Sequence, residues 1–248
     1  MPPDDLSDLF VRAHSGLPRQ APGSAATTEL LLRLAGRLPR QPRILDIGSG
    51  PGSASITLAQ LTGGTVTAVD THQPFLDEVT RRAADAGVDG RIVTLNAPMQ
   101  DLPLDDGSVD LIWAEGAVYL MGFDAALTSW RRLLSDDGVV VLTEAEWSTP
   151  QPSHEVRRFW GAAYPAMRRT GENVDAAQLA GYDVRAVYVL PDSDWAEYYD
   201  PLTRRIEQLR TEGIDEAMLA VLGEEITIRS AHGADYSYTG YVLRRRAG

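Results

Sequence analysis

Short apolar runs alternate along the chain with longer segments whose apolar residues recur every three or four positions. The short runs are typical of buried strands, and the longer segments are typical of amphipathic helices. Strands are predicted at 43–47, 65–69, 91–95, 109–113, 139–144, 182–190 and 236–244. Helices are predicted at 25–37, 53–61, 74–86, 124–134 and 153–169, and 195–225 is predicted to be largely helical. This alternation indicates an α/β fold with a parallel sheet and crossover helices.

A glycine-rich turn follows the first predicted strand. The strand ends at Ile47, and Gly48, Gly50 and Gly52 then lead into the next helix. Glycines at these positions allow unusual backbone angles and leave room for a ligand, and a helix N-terminus offers free N–H groups. Asp70 ends the second strand, where its carboxylate can accept both hydroxyls of a ribose. The spacing predicts a site for a nucleoside-containing ligand, and a tight turn without a ligand is the alternative.

Two nucleoside ligands compete for this turn. The fingerprint of a nicotinamide dinucleotide needs its third glycine where this chain has Ser53, and Gly52 comes one position early. Asp46, just before the turn, would repel a pyrophosphate but would attract the ammonium group of a methionine moiety. Spacing and charge therefore both favour S-adenosylmethionine.

Four motifs in order resemble those of class I S-adenosylmethionine-dependent methyltransferases. They are Asp46 to Gly52, Asp70, Asp101-Leu102-Pro103-Leu104, and Asp106 to Ile112. Further segments resemble uncharacterised bacterial small-molecule methyltransferases, namely 19–24, 113–119, Phe159-Trp160, Ala163-Tyr164-Pro165, and Leu190-Pro191 with Trp195. The resemblance implies a Rossmann-like seven-stranded sheet whose last strand is antiparallel, with helices on both faces. It also implies a helical cover from the N-terminus and from the segment after the fifth strand.

We expect one domain over residues 1–248. Its parts would be an N-terminal helical cap at 1–40, a cofactor-binding core at 41–146, a substrate cover with the sixth strand at 147–235, and the last strand and tail at 236–248. The resemblance assigns the amino-acid end of the cofactor to Asp46, Gly48, Ser49 and Gly50, the ribose to Asp70 and Thr71, the adenine to Pro98, Met99 and Gln100, and the face near the sulfonium to Ala114, Glu115 and Gly116. Many relatives have Ser or Asp in place of Pro98 and an acidic residue in place of Gln100. The adenine contacts here are therefore expected to be mostly backbone or apolar.

The acceptor side offers several candidate residues. Glu115, just after the fourth strand, is the first candidate for a general base, and Glu144 and Glu146 follow the fifth strand. Each could instead serve as a structural hydrogen-bond partner, and a base is needed only if the acceptor is protonated when bound. The residues expected to line the acceptor pocket are Tyr119, Glu146, Trp160 and Tyr164. These aromatic residues could equally pack the cover helices onto the sheet.

The N-terminal segment 8–15 is compatible with a short lid helix that carries His14. In that position His14 could approach the acceptor, although a surface or capping histidine is the simpler interpretation.

Composition narrows the classes of partner. The chain has 23 basic residues, all of them Arg, against 35 acidic ones, for a net charge of -12. Because nucleic-acid affinity depends on basic residues, a nucleic-acid partner is not expected. With no Cys and four scattered His, neither a disulfide framework nor a metal site is expected. No apolar run approaches the ~20 residues that cross a bilayer, and the N-terminus does not resemble a secretory signal, so a cytoplasmic protein without a membrane partner is expected.

The leading hypothesis is an enzyme that moves a methyl group from S-adenosylmethionine to a nitrogen, oxygen or carbon of a small molecule, leaving S-adenosylhomocysteine. The first alternative is a regulator that binds the nucleoside without chemistry, since a fold alone does not establish a function. The second is a protein or RNA methyltransferase. It is disfavoured by the acidic charge and by Ala114-Glu115-Gly116-Ala117, which stands where an Asn/Asp-Pro-Pro-aromatic motif would be. The sequence leaves the oligomeric state open, a homodimer included.

Overall fold

The computed structural model describes residues 3–246. Its strands are β1 (Arg43–Ile47), β2 (Thr65–Asp70), β3 (Ile92–Asn96), β4 (Val109–Glu115), β5 (Leu134–Trp147), β6 (Tyr182–Val189) and β7 (Tyr236–Arg245). Its helices are α1 (Pro3–His14), α2 (Ala25–Ala35), α3 (Ser53–Thr62), α4 (Gln73–Asp85), α5 (Phe123–Trp130), α6 (His154–Ala163), α7 (Thr170–Leu179), α8 (Asp192–Thr211), α9 (Glu216–Leu222) and α10 (Glu224–His232). The ends of the expected N-terminal cap and C-terminal tail, residues 1–2 and 247–248, lie outside the described residues.

The strands form one sheet with the order β3-β2-β1-β4-β5-β7-β6. The first five strands pair in parallel, and β7 lies antiparallel to both β5 and β6. The predicted seven-stranded sheet with an antiparallel last strand is therefore confirmed. The chain leaves β1 toward β2 on one side and later returns to β4 on the other side. A reversal of this kind opens a crevice at the carboxyl ends of the two central strands, where α/β proteins bind ligands.

The central strands are buried on both faces of the sheet. In β4, only the last residue, Glu115, is partly exposed. Parallel strands covered by helices on both sides show continuous apolar runs rather than alternation, which is why the sequence revealed them clearly. This burial holds the carboxyl ends of β1 and β4 in place, and Asp46 and Glu115 lie there.

Helices cover both faces of the sheet. One face packs against α5 and α7 around Trp130 and Tyr182, and the other packs against α2, α3 and α4 around Trp113. A third cluster lies beyond the carboxyl ends of the strands and joins α1, α6 and α8 to β7. At its centre the indoles of Trp160 and Trp195 lie edge-on to Tyr236, with ring centroids 5.2 and 5.6 Å away. Aromatic packing of this kind fixes the cover above the crevice.

Three predicted helical segments are shorter or more broken than expected. The segment 153–169 is helical only as far as Ala163, because Pro165 cannot donate the backbone hydrogen bond that continues a helix. The unpredicted helix α7 then follows. The segment 195–225 is divided after α8, where Gly213 adopts a φ of +85°. The segment 124–134 ends its α-helix at Trp130, since Leu134 already belongs to β5.

Across residues 3–246, every helix is too short or too polar to cross a bilayer. The same residues contain no group of three His, Asp or Glu side chains placed to hold a metal ion.

Candidate active site

A cavity of about 310 Å³ opens at the carboxyl ends of β1, β2 and β4, and we call it the strand-end cavity. Its volume lies at the lower end of the range for small-molecule pockets. Eight predicted site residues line it: Asp46, Gly48, Ser49, Gly50, Asp70, Glu115, Gly116 and Tyr119. Eight others lie outside its lining: Thr71, Pro98, Met99, Gln100, Ala114, Glu146, Trp160 and Tyr164. The structure therefore brings together the residues expected at the amino-acid and ribose ends of a nucleoside ligand.

The glycine turn wraps tightly around the end of β2. The backbone N–H groups of Gly48 and Ser49 both donate to the carbonyl of Val69, each at 2.9 Å. Gly48 has a φ of +69°, and a Cβ atom there would lie 2.5 Å from the Cβ of Ala117. Only glycine fits at this position, because any other residue would combine an unfavourable backbone angle with a clash.

Asp46 is a carboxyl group buried at the floor of the cavity, with 2% of its surface exposed. It accepts a hydrogen bond of 2.5 Å from the hydroxyl of Ser55. Burial raises the pKa of Asp46 to about 7, and the charges of Glu115 and Asp70 add to the rise, whereas Ser55 and Arg19 oppose it. A cation bound beside Asp46 would favour the carboxylate and offset the cost of burying it.

Asp70 connects the glycine turn to the end of β2. Its Oδ2 accepts from the backbone N–H of Gly50 at 3.0 Å, and its Oδ1 accepts from the backbone N–H of His72 at 2.9 Å. A carboxylate oxygen can accept more than one hydrogen bond, so Asp70 keeps acceptor capacity toward the cavity. Thr71, the next residue, has an exposed side chain outside the cavity lining.

Glu115 is held by three side-chain donors. Its Oε2 accepts from Arg19 at 2.6 Å, and its Oε1 accepts from the hydroxyl of Thr28 at 2.8 Å and from the indole of Trp113 at 2.9 Å. The Arg19 side chain is only 9% exposed. Both carboxylate oxygens are thus occupied by protein donors, which argues against the general-base role expected for Glu115. Its place in the lining instead suits a residue that positions Arg19.

We expect Glu115→Gln to lower the free energy of unfolding by about 2 kcal/mol, because Arg19 would then be buried opposite a neutral amide. Urea unfolding measures this change. Glu29→Gln is the matched control, since Glu29 pairs with Arg33 on the exposed surface of α2. Such a pair contributes less than ~1 kcal/mol. Equal effects of the two substitutions would contradict a special role for the buried pair.

The loop after β3 lies behind the glycine turn. The Met99 side chain reaches within 3.9 Å of the position that a Cβ of Gly48 would occupy, and its carbonyl accepts from the indole of Trp130 at 3.0 Å. Ala114 is fully buried within β4. The adenine contacts of Pro98, Met99 and Gln100 stay predictions.

The prediction for the acceptor pocket needs correction at three residues. Glu146 is completely buried and accepts hydrogen bonds from Thr170, Asn173 and Tyr241, so it joins α7 to the sheet. Trp160 is 7% exposed and belongs to the aromatic cluster of the cover. Tyr164 is 5% exposed and lies behind Tyr119, with 6.0 Å between ring centroids.

Glu144, the other carboxyl considered as a base, also lies within the sheet and outside the cavity lining. It is 1% exposed, and burial raises its pKa to about 8. Its Oε1 accepts from the backbone N–H of Ala145 at 3.0 Å.

Several lining residues were not assigned to the site from the sequence. Phe10, Val11 and His14 come from α1, and Arg19 and Gln20 come from the segment between α1 and α2. His14 is 4% exposed, so it is not a surface histidine. The capping interpretation agrees with the structure, because His14 ends α1 and its Nδ1 lies 2.8 Å from the carbonyl of Phe10. Arg19 and Gln20 belong to the segment 19–24, which resembles bacterial small-molecule methyltransferases. That resemblance was the sequence signal that could have placed them in the site.

The match of the chain to a family model agrees with this geometry. Residues 44–138 match the model of a methyltransferase domain. The chain contains a methyltransferase domain. The methyltransferase domain runs from β1 into β5 and includes the glycine turn, Asp70 and Glu115.

Two relatives share part of this domain. The chain is 34% identical over 125 residues to the dimethylglycine N-methyltransferase of Parasynechococcus marenigrum, covering 50% of this chain and 45% of the relative. It is 38% identical over 98 residues to the 27-O-demethylrifamycin SV methyltransferase of Amycolatopsis mediterranei, covering 39% and 36%. The matched region is thus less than half the length of either relative.

A solved structure covers nearly the whole chain. The S-adenosylmethionine-dependent methyltransferase of Geobacter sulfurreducens, in complex with S-adenosylhomocysteine, superposes with a TM-score of 0.83 at 22% identity, covering 96% of this chain and 98% of that one. The protein therefore has the fold of S-adenosylmethionine-dependent methyltransferases beyond the methyltransferase domain itself.

Proposed function

We propose that the methyltransferase domain binds S-adenosylmethionine in the strand-end cavity and transfers its methyl group to a small-molecule acceptor, leaving S-adenosylhomocysteine. The observation that supports this most strongly is Asp46. It is buried, is hydrogen-bonded to the neutral Ser55, and forms no ion pair within residues 3–246. The ammonium of a methionine moiety would supply the missing charge, whereas a pyrophosphate would be repelled.

The backbone N–H groups of the glycine turn are largely occupied within the protein. The N–H groups of Gly48, Ser49 and Gly50 already donate to Val69 and Asp70. Among the described residues that line the cavity, the arginine is Arg19. A guanidinium has five N–H donors, and only some of those of Arg19 bond to Glu115 and Thr28. We therefore assign the methionine carboxylate to Arg19, and Glu115 is the residue that positions it.

The remaining parts of the cofactor follow from the geometry of the crevice. Asp70 would accept the ribose hydroxyls with its remaining lone pairs, close to the glycine turn. Gly116, with a φ of +62°, lets Ala21 pack against the end of β4, because a Cβ at this position would clash with the Cβ of Ala21. Its N–H donates to the hydroxyl of Thr143, and its backbone would line the cavity near the sulfur.

The bound donor supplies a methyl group made electrophilic by the positive charge on its sulfur. The protein then has to orient this group and exclude water, which accounts for much of the acceleration of a transfer reaction. The core of residues 41–146 performs the first task, and α1 with the cover of residues 147–235 performs the second.

A small-molecule acceptor is consistent with the charge of the chain and with the relatives. The net charge of -12 disfavours nucleic acid. The names of two relatives specify dimethylglycine and 27-O-demethylrifamycin SV as their small-molecule substrates.

Calorimetric titration with S-adenosylhomocysteine and, separately, with NADH tests the proposal. We expect binding of one S-adenosylhomocysteine per chain, no binding of NADH, and strong weakening by Asp70→Ala. Binding of NADH alone would refute the proposal. Detection of methyl transfer from S-adenosylmethionine to a small molecule then distinguishes an enzyme from a protein that only binds the nucleoside.

A further inference from the structure

The strand-end cavity has an apolar part formed by α1 and the turn after β4. Phe10 and Val11 are 56% and 40% exposed, and Tyr119 and Leu120 are 40% and 62% exposed, although all four are large apolar or aromatic residues. His14 lies among them and is 4% exposed. Exposed apolar residues grouped at the mouth of a cavity mark a binding surface for an apolar ligand.

The hydrogen bonds of His14 determine its tautomer. Its Nδ1 lies 2.8 Å from the carbonyl oxygen of Phe10, and a carbonyl can only accept, so Nδ1 carries the proton. Its Nε2 is then the unprotonated nitrogen and accepts from the hydroxyl of Tyr198 at 3.2 Å. The ring stacks on Phe10 with 3.9 Å between centroids, which fixes its orientation.

The surroundings keep the His14 ring uncharged. Burial lowers the pKa of His14, and the bond to Phe10 opposes this only in part. Tyr198 of α8 is the titratable group in contact with the ring. The charged groups near α1, Arg205 and Glu212, contact Arg12 on its exposed side. In α9, Glu216 pairs instead with Arg210, at the C-terminal end of α8.

The charges of the cavity restrict the acceptor. Asp46, Asp70 and Glu115 line it, and Arg19, the one arginine among the described lining residues, is assigned to Glu115 and to the methionine carboxylate. An acceptor that carries a carboxylate would find no unpaired cation among the described lining residues, and charge repulsion would disfavour its entry. The lining residues described around His14, namely Phe10, Val11, Tyr119 and Leu120, are all uncharged. An uncharged acceptor therefore fits best.

We propose that the acceptor is an uncharged molecule with a hydroxyl group on an apolar frame, and that Nε2 of His14 removes the hydroxyl proton. This inference rests on the proposed function. The acceptor O–H bond breaks and its proton passes to Nε2, an O–CH₃ bond forms, and the C–S bond breaks with its electron pair retained by sulfur. The products are a methyl ether, S-adenosylhomocysteine and a proton that His14 releases to water. In this structure the Tyr198 hydroxyl occupies Nε2, so the proposal requires Tyr198 to turn away before the acceptor hydroxyl binds there.

The test incubates the full chain and S-adenosylmethionine with two hydroxyl compounds, 4-ethylphenol and 1-octanol, and with two amines, octylamine and dimethylglycine. Mass spectrometry identifies the methylated product. We expect methyl ethers, and in His14→Gln a kcat reduced about 100-fold or more with an unchanged affinity for S-adenosylhomocysteine. His154→Gln, at an exposed position that begins α6, is the matched control.

A second readout does not depend on activity. In ¹⁵N-histidine spectra of the ligand-free protein, the signals that disappear in His14→Gln are those of His14. At about pH 6.5, the ordinary pKa of histidine, these signals should show a neutral ring protonated at Nδ1. The acceptor proposal is overturned if only amines are methylated, if neither hydroxyl compound is methylated, if His14→Gln is as active as the wild type, or if the ring is charged. If the wild type fails to bind S-adenosylhomocysteine, the proposed function itself is wrong, so the two failures are distinguishable.

Discussion

Asp46→Asn is expected to weaken the binding of S-adenosylhomocysteine about 100-fold. The ligand ammonium would lose the buried carboxylate that faces it, and truncating one partner of a buried charge pair costs about 2–5 kcal/mol of binding free energy. The amide of the new side chain keeps the shape of the carboxyl group and can still accept from Ser55. Calorimetry at pH 8 measures the change in affinity.

The same substitution should stabilise the ligand-free protein. The pKa of Asp46 is raised from 3.8 to about 7, so between these values the folded state holds a proton that the unfolded state has lost. Each pH unit in this window then lowers the free energy of unfolding by about 1.4 kcal/mol, and the full loss is present above pH 7. An amide at this position cannot ionise, so Asp46→Asn should unfold at a higher temperature than the wild type at pH 8.

Asp110→Asn is the matched control for this prediction. Asp110 lies on β4, and the hydrogen bonds from Arg43 lower its pKa, so its ionised form stabilises the folded state. Asp110→Asn should therefore lower the thermal stability at pH 8 and leave the affinity for S-adenosylhomocysteine unchanged. If Asp46→Asn behaved like Asp110→Asn, Asp46 would be an ordinary structural carboxylate.

Gly48→Ala is expected to lower the free energy of unfolding by about 3 kcal/mol. A left-handed backbone angle costs a residue with a Cβ roughly 1–2 kcal/mol, and overpacking adds about 1–3 kcal/mol. Both apply here, since φ is +69° and the new Cβ would lie 2.5 Å from that of Ala117. The glycine turn or the loop that carries Ala117 would have to shift, and because both line the strand-end cavity, ligand binding should weaken as well.

Gly63→Ala separates the two contributions to this effect. Gly63 follows α3 with a φ of +65°, and no atom of the described residues outside its own turn lies within 4 Å of the position of its Cβ. Its substitution should therefore cost only the backbone contribution of roughly 1–2 kcal/mol. Urea unfolding of both variants gives the difference, and equal losses would show that Ala117 does not restrict Gly48.

The opposite effects expected for Asp46→Asn illustrate how the site is built. A buried carboxylate without a cation reduces the stability of the ligand-free protein, and the bound ligand removes this cost. Engineered gains in stability often reduce function at such positions.

The cofactor side of the cavity was predictable because its determinants are local. Asp46, the glycine turn and Asp70 lie at the carboxyl ends of two strands that pair as neighbours in parallel, so their order along the chain fixes their proximity. Strand patterns alone identify this edge of the sheet.

The acceptor side depends on long-range contacts that periodicity does not show. Glu146 was expected after the end of the fifth strand, but β5 continues to Trp147 because it pairs with β7 along its length. Glu146 therefore points into the sheet core, beside Tyr241 and Asn173. In the same way, the burial of His14 depends in part on α8, which brings Tyr198 against α1.

The most direct test of the account is a calorimetric titration with S-adenosylhomocysteine at pH 7, repeated in two buffers that differ in ionisation enthalpy. The difference between the two heats gives the number of protons released on binding. Since burial raises the pKa of Asp46 to about 7, part of the carboxyl population is protonated at this pH, and binding of an ammonium should release a fraction of a proton per chain. We expect this release in the wild type and its absence in Asp46→Asn. Binding of S-adenosylhomocysteine without proton release in the wild type would contradict the pairing of Asp46 with the ligand ammonium.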